Sequence, residues 1–204
     1  MNKKKSLFIG IIFIVPLILG VGIIGYWYWT TRVDKQVMLP IFGEVPSFSL
    51  TAEDSSTTTN QKFIGKVSII DCIFTQCAGA CPMMSGKMSE LQQTFHNDSH
   101  IQFISISVDP ENDTPPVLTQ YAAQYGAVKG RWTFLTGSKM TIFKLITDGF
   151  HLETASDTNG ISHSQKFVVV DQRGAIRGYY DSEDADAMKI LVRDAEALSS
   201  KIAS

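Results

Sequence analysis

The 204-residue sequence predicts an α/β domain, a central sheet flanked by helices, behind one N-terminal transmembrane helix. Three observations predict it. An apolar stretch without a single charge runs from Leu7 to Trp29, preceded by Lys3, Lys4 and Lys5. Beyond residue 46, short apolar or alternating runs give way repeatedly to helical patterns. The chain then closes on a hairpin signal followed by an amphipathic stretch. The whole chain is 44% hydrophobic, and the part after the apolar stretch is long enough to bury a core of its own. Eighteen Lys+Arg against 20 Asp+Glu exclude a nucleic-acid binder, which would present a basic patch or stripe. Three cysteines are too few for a disulfide-stapled miniprotein, so any cysteine chemistry depends on where they sit.

The elements follow in chain order. Leu7–Trp29 spans 23 residues, which at about 1.5 Å each reach about 34 Å and cross a bilayer core of about 30 Å. Tyr26, Trp27, Tyr28 and Trp29 form an aromatic belt at its far end. They also stand where a cleavage site would need small residues, and no lipoprotein cysteine occurs before Cys72. Residues 1–29 therefore read as cytoplasmic lysines plus an uncleaved anchor. The protein is expected in the bacterial inner membrane as a single-pass protein, N-terminus cytoplasmic and soluble domain periplasmic. Residues 30–46 read as a linker punctuated by Pro40, Gly43 and Pro46, and residues 47–204 as the domain.

Within the domain, Phe48–Leu50 is a strand and the polar run Glu53–Asn60 a loop. Val67–Phe74 is a buried strand, Pro82–Phe95 a helix, and Ile101–Val108 a strand alternating Ile and Val against Ser. Asp113-Thr114-Pro115 opens a helix that carries Leu118, Tyr121, Ala122 and Tyr125 and stops at Gly126. Trp132–Leu135 is a short strand, and Ser138–Asp148 a helix closed by Gly149. Lys166–Val170 and Ala175–Tyr180 form a hairpin turned by Asp171–Gly174. Met188, Leu191, Ala195, Leu198 and Ile202 stripe a C-terminal helix. Strands alternating with helices and ending in hairpin and helix define a thioredoxin-like α/β sandwich.

Cys77-Ala-Gly-Ala-Cys81-Pro82 carries the sharpest chemistry, lying between a buried strand and a helix. Proline suits the first helical position, which makes Cys81 the expected N-cap. Unpaired N–H groups and the helix dipole there would favour its thiolate, the form that binds metal or attacks a disulfide. Thioredoxin-type oxidoreductases place two residues between their cysteines; this chain places three. The wider bite admits an ion and still permits a Cys77–Cys81 disulfide. Those oxidoreductases also resemble one another in a cis-proline facing the cysteines, just before the hairpin. No proline follows Pro116 here, and the corresponding stretch, Gly160–Lys166, offers His163. Two thiolates and an imidazole suit copper as Cu(I) or Cu(II); zinc also accepts the set, although a structural zinc site wants a fourth protein ligand.

At this point the residues match a family. Phe74-Thr-Gln-Cys77-Ala-Gly-Ala-Cys81-Pro82, Ser107-Val-Asp109-Pro110 through Asp113-Thr114-Pro115, Trp132–Gly137, and His163 ahead of Phe167–Asp171 resemble the Sco/SenC copper-binding proteins of cytochrome oxidase assembly, in order and spacing, over about residues 41–203. The resemblance implies a thioredoxin-like fold and copper held by Cys77, Cys81 and His163. It also implies delivery to the binuclear copper centre of an oxidase subunit, with other copper carriers as further partners. Two positions depart from the pattern. Ala78, Gly79 and Ala80 offer no acid between the cysteines, and Ser162 stands where many members place an aspartate before the histidine.

Other readings use the same residues. A thiol–disulfide oxidoreductase keeping oxidase-subunit cysteines reduced needs Cys77 and Cys81 but not His163. A peroxidase needs a proline and a threonine ahead of the reactive cysteine; Thr75 is present, but no proline lies between Pro46 and Pro82. Cys72 reads as a small buried hydrophobe, and Asp71 as a buried acid adjusting thiol protonation or an ordinary strand-end acid. Met83, Met84 and Met88 read as core or interface filler with thioether ligands as the alternative. His96 and His100 read as surface residues because Asn97-Asp98-Ser99 ends the helix between them. His151 has no evident partner, and Asp109 and Asp113 fix a turn and cap the following helix.

Overall fold

The computed structural model describes residues 20–23, 39–152, 154–157 and 160–203. Residues 20–23 are helical; the remainder of the Leu7–Trp29 segment lies outside the described residues. Among those described, no helix is long and apolar enough to cross a membrane. Leu39–Ser204 forms one compact unit.

Its strands, in chain order, begin with Gly43–Glu44 (β1), Ser49–Ala52 (β2), Thr57–Thr59 (β3) and Val67–Ile73 (β4). Helix Ala80–Thr94 (α1), strand Ile101–Ser107 (β5), helix Pro115–Gln124 (α2) and strand Trp132–Thr136 (β6) follow. Helix Lys139–Lys144 (α3) runs into a π-type turn at Leu145–Gly149. Strands Thr154–Asp157 (β7) and Gly160–His163 (β8), the hairpin Lys166–Val170 (β9) and Ala175–Asp181 (β10), and helix Ala185–Ala203 (α4) complete the chain. Eight strands make one sheet in the order β1-β10-β9-β4-β5-β6-β2-β3. β4, β5 and β6 are parallel, as crossovers through α1 and α2 require; β9 returns antiparallel on β4.

β4 and β5 are buried at every position because both faces of the sheet are covered. Val67, Ile69 and Ile73 join Met84, Met88 and Leu91 of α1, Leu118 of α2 and Leu191, Ala195 and Leu198 of α4. Ile70 and Cys72 point the other way, toward Phe63, Ile142 of α3, Ile146 and Phe150. Doubly covered β5 also buries Ser105 and Ser107, which alternation alone would send to solvent, and each hydroxyl is satisfied by a carboxyl.

Several boundaries differ from expectation for physical reasons. The polar run Glu53–Asn60 is not all loop: Thr57–Thr59 pairs antiparallel with β2, an edge strand whose threonines suit a sheet without supplying an apolar signal. The stretch before the final hairpin, for which the sequence gives no strand signal, is also paired: β7 and β8 run antiparallel from Thr154↔His163 to Asp157↔Gly160. Asp113 does not cap α2. Thr114 is the N-cap residue, with no side-chain cap bond, and Pro115 takes the first helical position. Gly126 (φ +67°) ends that helix. At Gly178 the chain needs glycine for space: a Cβ there would lie 2.4 Å from the Tyr180 hydroxyl oxygen, whose proton goes to Asp194 at 2.8 Å.

Candidate functional site

The turn from β4 into α1 carries the cysteines. Cys77 N–H donates to the Phe74 carbonyl (3.2 Å), closing a tight bend as the chain leaves the sheet. Gly79 then takes the N-cap position and α1 starts at Ala80. Cys81 is therefore the second residue of the helix, not its cap, and Pro82 is the third. Proline remains tolerated there because the first turn's N–H groups have no intrahelical partner.

This two-residue shift reverses the roles of the two thiols. Cys81 turns inward and is fully buried with Met84 and Tyr121. Burial pushes its thiol up, and the nearby Cys77 and Asp71 push the same way against a backbone hydrogen bond at Phe74. Cys77 is half-buried, between exposed Gln76 and Ala78. Partial burial raises its thiol too. The backbone and thiol of Cys81 and the backbone N–H groups of Gly79 and Ala80 outweigh that, bringing Cys77 below the ordinary cysteine range. Gly79 N–H lies 3.4 Å from the Cys77 sulfur. The helix-start donors converge on Cys77, so the sequence-based assignment of the thiolate to Cys81 is corrected. None of the three cysteines is in a disulfide, and Cys72 is buried as expected, its thiol pushed up first by burial.

Two carboxyls that sequence reasoning underrated stand around this turn. Asp71 faces the α1 side of β4, opposite Ser105 in the register. Its Oδ1 accepts the Ser105 hydroxyl at 2.6 Å, and Ser105 Oγ accepts the Trp132 indole N–H at 2.9 Å. Oδ2 is buried without a hydrogen-bond partner, and burial pushes the acid up to about 7. Asp113, fully buried, accepts from Thr75 N–H (3.1 and 3.3 Å), the Thr75 hydroxyl (2.5 Å) and the Ser107 hydroxyl (2.5 Å). Its sequence signal was its place before Thr114-Pro115, which reads as helix capping and gives no sign of a contact 38 residues away.

The other expected residues are placed as follows. The backbone of His163 lies at the end of β8, paired with Thr154; its side chain lies outside the described residues. Met84 and Met88 are core, and Met83 is partly exposed on the first turn of α1. His96 is exposed and hydrogen-bonds the Gln93 carbonyl, past the end of α1, and His100 is half-buried. His151 is exposed, with positive φ, its ring against Gly43. Asp109 accepts from Asn112 and fixes the turn ahead of α2. Among the described residues, no group of three or more His, Cys, Asp or Glu gathers into a metal cluster.

Fold and site define a thioredoxin-like protein with an asymmetric dithiol where a central strand meets a helix. The chain matches the SCO1/SenC family over residues 42–198 and belongs to it. Among solved structures it is similar to a SCO1/SenC family lipoprotein from Bacillus anthracis (TM-score 0.72, 29% identity, 77% of this chain and 95% of that one). It is similar also to BsSco, described as having a disulfide switch and as a member of the Sco family of cytochrome c oxidase assembly proteins (TM-score 0.71, 28% identity, 80% and 98%). Copper-bound ScoI of Bradyrhizobium japonicum shares the fold (TM-score 0.61, 24% identity, 74% and 98%).

Proposed function

We propose that the chain is a copper carrier of cytochrome c oxidase assembly, anchored in the bacterial inner membrane with its domain in the periplasm. It takes copper on Cys77 and Cys81, with His163 as third ligand, and passes it to the binuclear copper site of an oxidase subunit. The observation that carries this reading is a pair of thiols outside any disulfide, half-exposed Cys77 in the bend before α1 and buried Cys81 on its first turn, in a member of the SCO1/SenC family. Two soft sulfurs at a constrained bite suit Cu(I), and an imidazole completes a trigonal set. Copper is here cargo, so the site has to release it as well as bind it. The half-exposure of Cys77 gives a receiving ligand a sulfur to approach.

The asymmetry of the thiols also favours a second reading. A lowered, accessible Cys77 and a raised, buried Cys81 are the attacking and resolving groups of disulfide exchange. Cys77 thiolate would displace one sulfur of a client disulfide. Cys81 would then release the other, leaving Cys77–Cys81 oxidised until a dithiol donor reduces it. His163→Ala separates the two readings in a deletion strain grown at limiting copper, at equal protein abundance. Copper delivery predicts weaker copper binding and loss of oxidase activity. Full oxidase activity would overturn delivery and promote the reductase.

A further inference from the structure

Asp113 joins three chain segments through one buried carboxyl. Thr75 belongs to the bend between β4 and Cys77, Ser107 ends β5, and Asp113 itself precedes α2. Four hydrogen-bond contacts converge on its two oxygens, three of them from Thr75. Asp113 is held from behind: its N–H donates to the Asp109 carbonyl at 2.9 Å, and Asp109 N–H donates to Ser107 Oγ at 3.0 Å. The Cys77 bend can move away from β5 only by leaving this carboxyl with unmet acceptors inside the protein, which is costly. Thr75 is two residues from Cys77, and the Phe74–Cys77 hydrogen bond closes the bend around it.

We propose that Asp113 and Thr75 are positioning residues of the dithiol: through Thr75, Asp113 locks the bend that presents the Cys77 sulfur, and so sets the bite offered to copper. This deepens the copper-carrier reading and rests on it. Neither residue touches the metal. Their effect is preorganisation, which lowers the cost of gathering two sulfurs on one ion.

The test uses the reduced full-length protein and two readouts. One is amide hydrogen exchange of residues 74–81, the other Cu(I) affinity measured by chelator competition. Thr75→Val removes the hydroxyl donor and keeps the shape. It should speed exchange of 74–81 at least tenfold, leave Val67–Ile73 protected, and weaken Cu(I) binding at least tenfold. Thr75→Ser, which restores the hydroxyl, should stay within twofold of the parent in both. Asp113→Asn supplies a second variant of unchanged shape and should move both readouts at least threefold in the same directions. Tyr180→Phe is the control for stability alone. It removes a buried hydroxyl–carboxyl bond, to Asp194 on α4, and should lower the unfolding midpoint without moving either readout. Parent-like exchange and affinity in both Thr75→Val and Asp113→Asn would overturn the proposal, as would an equal loss of affinity in Tyr180→Phe. If the parent binds no Cu(I), the copper reading fails, and exchange alone then decides the lock.

Discussion

Replacing Asp71 by asparagine should remove a large part of the protein's pH-dependent stability. The acid is fully buried, with one oxygen on Ser105 and the other without a hydrogen-bond partner. Burial pushes it up to about 7 from an ordinary 3.8, outweighing the hydrogen bond from Ser105, which pulls the other way. The folded state therefore holds the proton between those values and the unfolded chain releases it. Stability from this group is complete below about pH 4, falls as pH rises, and is lost above about pH 7. About three pH units at about 1.36 kcal/mol each make the loss roughly 4 kcal/mol, an upper figure because buried sites relax. The titratable neighbours coupled to Asp71, namely Cys72, Cys81 and Tyr121, are all raised and stay neutral throughout that window.

The assay is urea unfolding of parent and Asp71→Asn, under reducing conditions, at intervals from pH 4 to pH 8. The amide keeps an acceptor for Ser105 but buries an extra unpaired N–H, so the variant should be about 1 kcal/mol less stable at pH 4. It should be about 2–3 kcal/mol more stable at pH 8, and the two curves should cross. Other carboxylates contribute equally to both proteins, so the difference isolates Asp71. Parallel curves would refute the reasoning, because they would mean that the carboxylate is ionised in the folded state and solvated by something other than the groups described.

Two further outcomes follow from the same structure. Iodoacetamide at pH 7 should alkylate Cys77 first, Cys81 far more slowly and Cys72 only on unfolding; peptide mass spectrometry reads the order, and initial labelling of Cys81 would contradict the assignment of the thiolate. Arg177→Met should cost about 3 kcal/mol in urea unfolding with little dependence on salt, because the guanidinium pairs with buried Asp171 at 2.7 Å and also holds the Leu39 and Pro40 carbonyls. A cost under about 0.5 kcal/mol, or one abolished by salt, would refute it.

The order of elements from β4 through α2 and from β9 to α4 was legible because both elementary periods are strong there. Continuous apolar runs mark strands covered on two sides, and a stripe at helical spacing marks α4. What escaped notice was pairing without an apolar signature. β3 is Thr-Thr-Thr, and the β7–β8 hairpin holds Ala155 and Ile161 as its only apolar residues, so neither shows a buried face to read. Asp113 escaped for another reason. Its partners Thr75 and Ser107 come from two other segments, and a carboxyl before Thr-Pro carries the same local signal whether it caps a helix or ties down a distant bend.

The cysteines show the limit most sharply, because the rule applied to them was sound and its outcome reversed. Helix-start N–H groups do stabilise a thiolate, but which sulfur they meet depends on whether the helix begins at Ala80 or Pro82. Ala78-Gly79-Ala80 leaves that choice open, since none of these residues offers a side-chain cap. Packing decides it: Cys81 is drawn into the cluster with Met84 and Tyr121, and Cys77 is left to the amides. Sequential chemistry follows from this under either proposed function. Cys77, the more accessible sulfur and the one whose thiol is lowered, meets copper or a client disulfide first. Cys81 joins only by giving up a proton from a buried, raised thiol, so the second sulfur–metal or sulfur–sulfur bond is coupled to proton release.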